Sequence, residues 1–297
     1  MRRSARGAAC APITSLVLAL VLILAAASNA SAASSGEPGV AVATTQRPLW
    51  ELGLGVAGLR QPDYRGSDQS HNYVLPLPFI VYRGTWLKAD RDGARALLVN
   101  TSRFELDLSA AAATPTRSSD NVARAGMPNL PGSVELGPNV NLLMAGSRAA
   151  NWRVELRLPV RAAITLERSP RSIGATFSPN VNLDIDELAG GWHLGVQGGP
   201  LFADSRYHQH FYGVDAAFAT PARPAYSAGG GYAGWNALAA TSRRFANLWV
   251  GAYLRYDNVR GAVFDDSPLV RRGSGVTAGF GIAWVLRQST ELVDSDY

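Results

Sequence analysis

One cysteine, Cys10, is present in 297 residues, and it lies so near the start that export would remove it. A disulfide framework, a Cys-ligated metal and a thiol nucleophile are thereby excluded from the processed chain. Lysine is nearly absent too. Apart from Lys88 every basic residue is arginine, and no run of them alternates with aromatics as a nucleic-acid surface would require. Beyond residue 33 there is no uncharged apolar run of about 18 residues, which rules out membrane-spanning helices. Long helices of any kind are disfavoured by 30 glycines and 17 prolines scattered along the chain. These absences leave an all-β chain.

The first residues read as an export signal. Arg2, Arg3 and Arg6 precede an uncharged apolar run from Leu16 to Ala27, and Ala30-Ser31-Ala32 supplies a small-residue cleavage site. The run is too short to stay as a spanning helix, and Cys10 precedes it instead of closing it, so it is not placed for lipoprotein acylation. Residues 1–32 are expected to be a signal peptide, 33–48 a periplasmic N-terminal segment, 49–286 the folded domain and 287–297 a C-terminal tail. Loss of three arginines from 28 basic residues, against 23 acidic ones, brings the processed chain close to neutrality. The formal charge of +5 therefore gives no argument for a polyanionic partner.

What is present is alternation. From Trp152 to Leu166 every even position is apolar, while Arg153, Glu155, Arg157 and Arg161 stand between. A period of two sustained this long means an extended strand with one apolar and one largely polar face. The pattern returns as Phe104, Leu106, Leu108 against Arg103, Glu105, Asp107, and as Val181, Leu183, Ile185 against Asn182, Asp184, Asp186. It closes the chain with Val276, Ala278, Phe280, Ile282, Trp284, Leu286. Strands of soluble sheets run about 5–6 residues, whereas tilted membrane-spanning strands need about 9–11. The length of these segments favours a transmembrane antiparallel β-barrel whose apolar face meets lipid and whose polar face lines a lumen.

Twelve strands are expected, at 50–60, 72–82, 85–90, 94–99, 103–112, 133–145, 151–166, 173–186, 190–203, 229–242, 247–257 and 274–286. The count falls to ten if the short third and fourth, which rest on reading Arg91-Asp92-Gly93 as a turn, do not form. The long connections 61–71, 113–132, 204–228 and 258–273 then share one end, and the short ones near Gly84, Thr101, Gly146, Leu188 and Phe245 share the other. With long loops outside and short turns in the periplasm, both termini are periplasmic. Glu51, Arg103, Glu105, Asp107, Arg153, Glu155, Arg157, Arg161, Asp184, Asp186, His193 and Arg255 are expected to face the lumen. In a barrel this narrow, mixed charges on neighbouring strands pair along the wall and fill the interior, leaving at most a narrow pore.

Chemistry-bearing clusters are few. The segment Ser205-Arg206-Tyr207-His208-Gln209-His210 is the one place where a hydrolase or metal site could be built on an extended, exposed loop. It shows no third metal ligand, and only Asp204 and Asp215 stand near in sequence to orient a histidine. His71, beside Asp68 and Ser70, offers less. Gly53-Leu54-Gly55 and Gly229-Gly230-Gly231 precede no helix in a βα context, so they read as barrel curvature and not as phosphate loops. No catalytic, metal or cofactor-binding residue is assigned. The 204–228 loop is instead expected to recognise a partner through Tyr207, Phe211, Tyr212, Arg223 and Tyr226, aromatic and cationic groups that suit contact.

The order of short motifs resembles the MipA/OmpV family of outer-membrane proteins. They are Trp50-Glu51-Leu52-Gly53-Leu54-Gly55, Pro62-Asp63-Tyr64-Arg65-Gly66-Ser67, Pro76-Leu77-Pro78 with Tyr82-Arg83-Gly84, and Asp90-Arg91-Asp92-Gly93. Glu135-Leu136-Gly137-Pro138, Phe211-Tyr212-Gly213-Val214 and Arg223-Pro224-Ala225-Tyr226 continue the series. The resemblance implies a non-enzymatic outer-membrane barrel, embedded in the lipid bilayer, that acts as a scaffold for a murein lytic transglycosylase and a penicillin-binding protein. A narrow channel or a surface adhesin is the other role it implies. It brings no catalytic residue and no cofactor.

Overall fold

The computed structural model describes residues 45–85, 87–90, 93–147 and 150–295. The expected signal peptide, most of the expected N-terminal segment, and Arg91 and Asp92 of the expected turn lie outside these residues.

The strands are β1 (Thr45–Pro48), β2 (Trp50–Pro62), β3 (Ser70–Arg83), β4 (Leu87–Asp90), β5 (Gly93–Asn100), β6 (Phe104–Ala113) and β7 (Ser133–Ser147). They continue with β8 (Trp152–Thr165), β9 (Ser172–Phe177), β10 (Asn180–Leu188), β11 (Trp192–Ala203), β12 (Gly231–Phe245), β13 (Leu248–Asn258), β14 (Ser274–Gln288) and β15 (Leu292–Ser295). One antiparallel sheet runs β10-β11-β12-β13-β14-β2-β3-β4-β5-β6-β7-β8-β9, and β10 pairs back onto β8 while β11 pairs onto β9. The sheet is thus a closed ring in which β9 and β10 share one position, giving twelve staves.

The expected single strand 173–186 is broken because Pro179 has no N–H to give the ladder. Both halves stay in register with β8, through Arg161↔Thr176 on one side of the break and Asn180↔Arg157 on the other. Ser178 N donates to Pro159 O across the break at 3.2 Å. The short pair expected at 85–90 and 94–99 forms as β4 and β5.

Accessibility identifies the two faces. Leu54 (61%), Leu254 (54%) and Phe280 (61%) point outward, while Glu51 (1%), Asp107 (1%), Arg153 (4%) and Asp184 (3%) are shut inside. This is the inverse of a soluble fold, and it is what a bilayer solvent demands. Arg103 departs from its expected lumen position. It lies in the exposed turn before β6, where Thr101 Oγ1 accepts from Phe104 N at 3.0 Å, so its side chain falls past the end of the wall. Gly53 and Gly55 answer to curvature, since a Cβ there would stand 2.1 Å from Trp284 O and 2.0 Å from Ile282 O of the adjacent β14.

At the turn end, β1 and β15 form a separate two-stranded ribbon, Thr45↔Ser295 to Pro48↔Leu292, within stretches set apart above as segment and tail. Leu49 N donates to Glu291 O (2.9 Å) and Arg83 Nη1 to Pro48 O (2.7 Å), which tie the ribbon to the ring. At the other end the long connections pack on one another around Tyr64, Leu130, Tyr212, Val214, Val259, Phe264 and Leu269.

Leu254, outward in the middle of β13, gives a direct test of the face assignment. Leu254→Arg should lower the equilibrium stability of folding into bilayers by about 2–4 kcal/mol, and Leu254→Phe should leave it nearly unchanged. Denaturant titration in vesicles measures both, and equal costs would contradict the outward placement.

Candidate functional site

The lumen is layered. At the turn end, buried Glu51 pairs with Arg83 (2.8 Å) and with Arg244, and His193 Nδ1 meets Asp186 at 3.0 Å. Above this, Arg153 reaches Asp184 at 2.9 Å, Arg157 reaches Glu155 at 2.8 Å, and Asn182 donates to Asp184 at 2.7 Å. On the neighbouring staves Asn141 donates to Asp107 at 2.7 Å and Arg161 to Ser109 at 3.0 Å. Register sets inward positions of adjacent staves side by side, as in Asp107↔Asn139 and Asn141↔Arg157, and alternation brings Glu155 beside Arg157 and Asn182 beside Asp184 on one strand. Glu51–Arg83, Arg153–Asp184 and His193–Asp186 join neighbouring staves as expected from the sequence, whereas Arg157–Glu155 lies within one strand and Arg244 reaches Glu51 from β12 across the lumen.

Between this charged layer and the loop end the wall encloses a cavity of about 650 Å³, which these same side chains help to line. Six arginines and six carboxylates line it, beside apolar groups such as Leu59, Leu201 and Phe211. Its roof is a helix, not the extended loop expected. The helix α1 (Ser205–Tyr212) starts on Asp204, whose carboxylate accepts from Tyr207 N at 2.8 Å and from Ala175 N at 3.0 Å. An aspartate before a proline-free stretch is a helix-start signal; the surrounding glycines and the short length hid it.

The helix brings the expected contact residues to different places. Tyr207 points down and donates to Glu135 at 2.8 Å. Tyr212, only 4% exposed, stacks on Phe264 at 3.6 Å between centroids and donates to Arg65 O at 3.0 Å. Phe211 lies half-buried against Tyr207, and its carbonyl accepts from buried Arg124 at 3.1 Å. Arg223 donates to Ala123 O and Ala125 O, both at 2.9 Å, clamping the 114–132 loop, and Tyr226 donates to Asp266. Tyr64, Glu135, Arg124 and Phe264 complete this cap; Tyr64 and Glu135 stand in short motifs of the sequence, but no local pattern shows what they contact, because their partners lie far away in sequence.

His208 is not an exposed loop histidine. It is fully buried, edge-on to Phe264 at 4.7 Å, and its Nδ1–H donates to Gly229 O at 2.6 Å. Burial lowers its pKa, and burial together with Arg124 and Arg171 lowers that of His210 to about 4. Both are therefore neutral packing groups at pH 7. Burial pushes the Tyr64 hydroxyl up to about 12 and that of Tyr212 higher. His71 pairs with Asp63, not with Asp68 or Ser70. Among the described residues no three His, Cys, Asp or Glu side chains converge as a cation site would need.

A closed antiparallel ring, apolar outside and polar within, defines an outer-membrane β-barrel. The sequence model of the family described as MltA-interacting protein MipA matches residues 54–286, and the chain belongs to that family. Among solved structures it is similar to the NanC porin in a rhombohedral crystal form, at 8% identity over 78% of this chain and 100% of that one, with a TM-score of 0.37. It is also similar to a porin refined at 1.8 Å, at 8% identity over 79% of this chain and 100% of that one, with a TM-score of 0.28. No curated protein sequence matches it.

The cap should loosen in acid. A histidine whose folded pKa lies below its unfolded value contributes fully above about pH 6.5, and that contribution is lost as the pH falls toward the folded pKa. Proteolytic nicking of the 204–230 and 259–273 loops should rise between about pH 6.5 and pH 4, and His210→Gln should flatten the rise. An unchanged pH profile in that variant would show that His210 does not carry the effect.

Proposed function

We propose that this barrel is a non-enzymatic scaffold that links the outer membrane to peptidoglycan-remodelling machinery, with a murein lytic transglycosylase as its first partner and a penicillin-binding protein as the second. The observation that carries the reading is the family, whose printed description is that of a protein interacting with MltA. The geometry supports it in two ways. A solute path would have to pass the packed cap and the Glu51–Arg83–Arg244 layer at opposite ends of the lumen. A periplasmic partner would find more than short turns at the lower end, since the β1–β15 ribbon stands there with no further strand paired to it among the described residues and Leu292 half exposed. Open strand edges accept an added strand.

On this reading Tyr207, Phe211, Tyr212, Arg223 and Tyr226 act mainly by holding the cap closed. Phe211→Ala with Tyr212→Ala is expected to lower the thermal stability of the unheated barrel and to leave periplasmic partner capture intact. Capture is measured by cross-linking in cells followed by mass spectrometry of the purified barrel, and a lytic transglycosylase should be recovered. Purified barrel in planar bilayers should give no stepwise conductance. Absence of any peptidoglycan enzyme among the cross-linked proteins, together with regular conductance steps, would favour a channel.

A further inference from the structure

Two staves of the ring are short. β4 has 4 residues and β5 has 8, between β3 with 14 and β6 with 10. β3 pairs with β2 over its whole length, from Pro62↔Ser70 to Trp50↔Tyr82, yet meets β4 only at Tyr82↔Ala89 and Arg83↔Lys88. β6 pairs with β7 as far as Ala113↔Ser133, yet with β5 only as far as Arg95↔Ser109. Among the described residues, 70–81 of β3 and 110–113 of β6 therefore have no ladder partner on the edges that face each other.

Among the described residues the β4–β5 pairing runs from Leu87↔Ala96 to Asp90↔Gly93, in the periplasmic part of the space between them. Loop 114–132 crosses the top, where Thr116 Oγ1 donates to Asp63 O at 2.7 Å and Gln69 Nε2 donates to Asp120 O at 3.3 Å. Three strand intervals of about 4.8 Å make the remaining opening about 14 Å wide at its base. It lies in the loop-end half of the wall, the half that faces the outer leaflet.

An unpaired edge in a sheet invites another strand. This edge refuses one. The β2–β3 ladder runs unbroken through Val56↔Pro76 and Leu54↔Pro78, so the N–H groups that these prolines lack belong to the side away from β2, which is the side of the opening. A strand added there would find two donors missing. The opposite rim is Ala110, Ala111, Ala112 and Ala113, side chains too small to block the way. All four line the cavity under the cap, although alternation turns Ala110 and Ala112 outward and Ala111 and Ala113 inward. The cavity thus extends to the free edge of β6.

The cavity's chemistry selects what would enter. Its six arginines and six carboxylates balance, so an ion of either sign gains no net attraction, while Leu59, Leu201 and Phe211 offer an apolar side. Its 650 Å³ falls within the range of about 300–1,000 Å³ usual for small-ligand sites. We propose that the gap between β3 and β6 is a lateral entrance through which a single-chain amphiphile with a zwitterionic or uncharged head passes from the outer half of the bilayer into the cavity. The inference does not depend on the scaffold reading, which concerns the other end of the barrel.

Gln197 lines the cavity on β11, across the ring from the opening. A Gln197→Cys variant, with Cys10→Ser so that one thiol remains, is reconstituted in phosphatidylcholine vesicles. It is treated either with a maleimide carried on a lysophosphocholine or with a sulfonated, water-soluble maleimide. The membrane-borne reagent should label about tenfold faster, since the bilayer concentrates it at the entrance. Adding Ala111→Trp, or Ala113→Trp if the first does not fold, should slow it to the rate of the aqueous reagent while the unheated barrel keeps its gel mobility. Equal rates for the two reagents, or an amphiphile rate unmoved by a tryptophan in a folded variant, would overturn the proposal. The comparison of the two reagents stands even if neither tryptophan variant folds.

Discussion

The constraint on which the rest of this structure depends is that a backbone in lipid has no water to bond. Every N–H and C=O within the hydrocarbon must find a partner in the protein, and for strands that means closing the ring. The closure here is made at an interrupted stave: β10 reaches back to β8 and β11 to β9, so the break at Ser178-Pro179 does not become an open edge. Among the described residues the upper part of β3 is a long stretch without a ladder partner on one edge, and there two prolines have removed donors that would otherwise go unsatisfied.

Closure in lipid inverts the usual energetics. The outward leucines and aromatics gain from the bilayer, so the fold's own hydrophobic core has to be made elsewhere. It is made in the loops, where Phe264 and Leu269 are fully buried with Tyr64, Tyr212, Val214 and Val259 around them. Each large apolar side chain taken fully from water is worth about 1.5–3 kcal/mol, and because the cluster draws residues from all four long connections, its burial packs them onto one another. The lumen's ion pairs have a different effect. Desolvation offsets most of the attraction in pairs such as Arg153–Asp184 and Glu51–Arg83, so they fix which strand lies beside which and exclude a wide channel more than they add stability.

What was legible in the sequence follows from this division. The staves were legible because the two solvents of the wall write a period of two directly into β8 and β14, and the loop end because long connections alternate with short ones. The cap was not. Its contacts join Tyr64 to Leu269 and Tyr212 to Arg65 across the chain, and no local pattern encodes them. His208 looked like an exposed loop residue because its burial comes from Phe264 and Gly229, neither of them on its own helix. Arg103 was misplaced by one position, since alternation says which face a residue takes but not where the wall stops. The ribbon of β1 and β15 escaped because four residues are too few for a period to show.

The inner wall is itself uneven, and that decides where space remains. On β14 and β2 the inward positions are largely glycine and alanine, and large side chains from the flanking β13 and β3 lie over them. A Cβ on Gly279 would meet the Tyr253 ring at 2.5 Å, and one on Gly281 would come within 3.1 Å of Leu77 and 3.4 Å of Trp249. Trp249 in turn packs against Phe79 at 5.8 Å between centroids. Small residues on one stave thus make room for rings from the next, and this part of the lumen fills with apolar side chains. Facing it, arginines and carboxylates held by their neighbours stand out from β6, β7, β8 and β10 with gaps between them. The space that remains is therefore pushed toward the charged staves, where Leu59, Leu201 and Phe211 are among the apolar groups that border it.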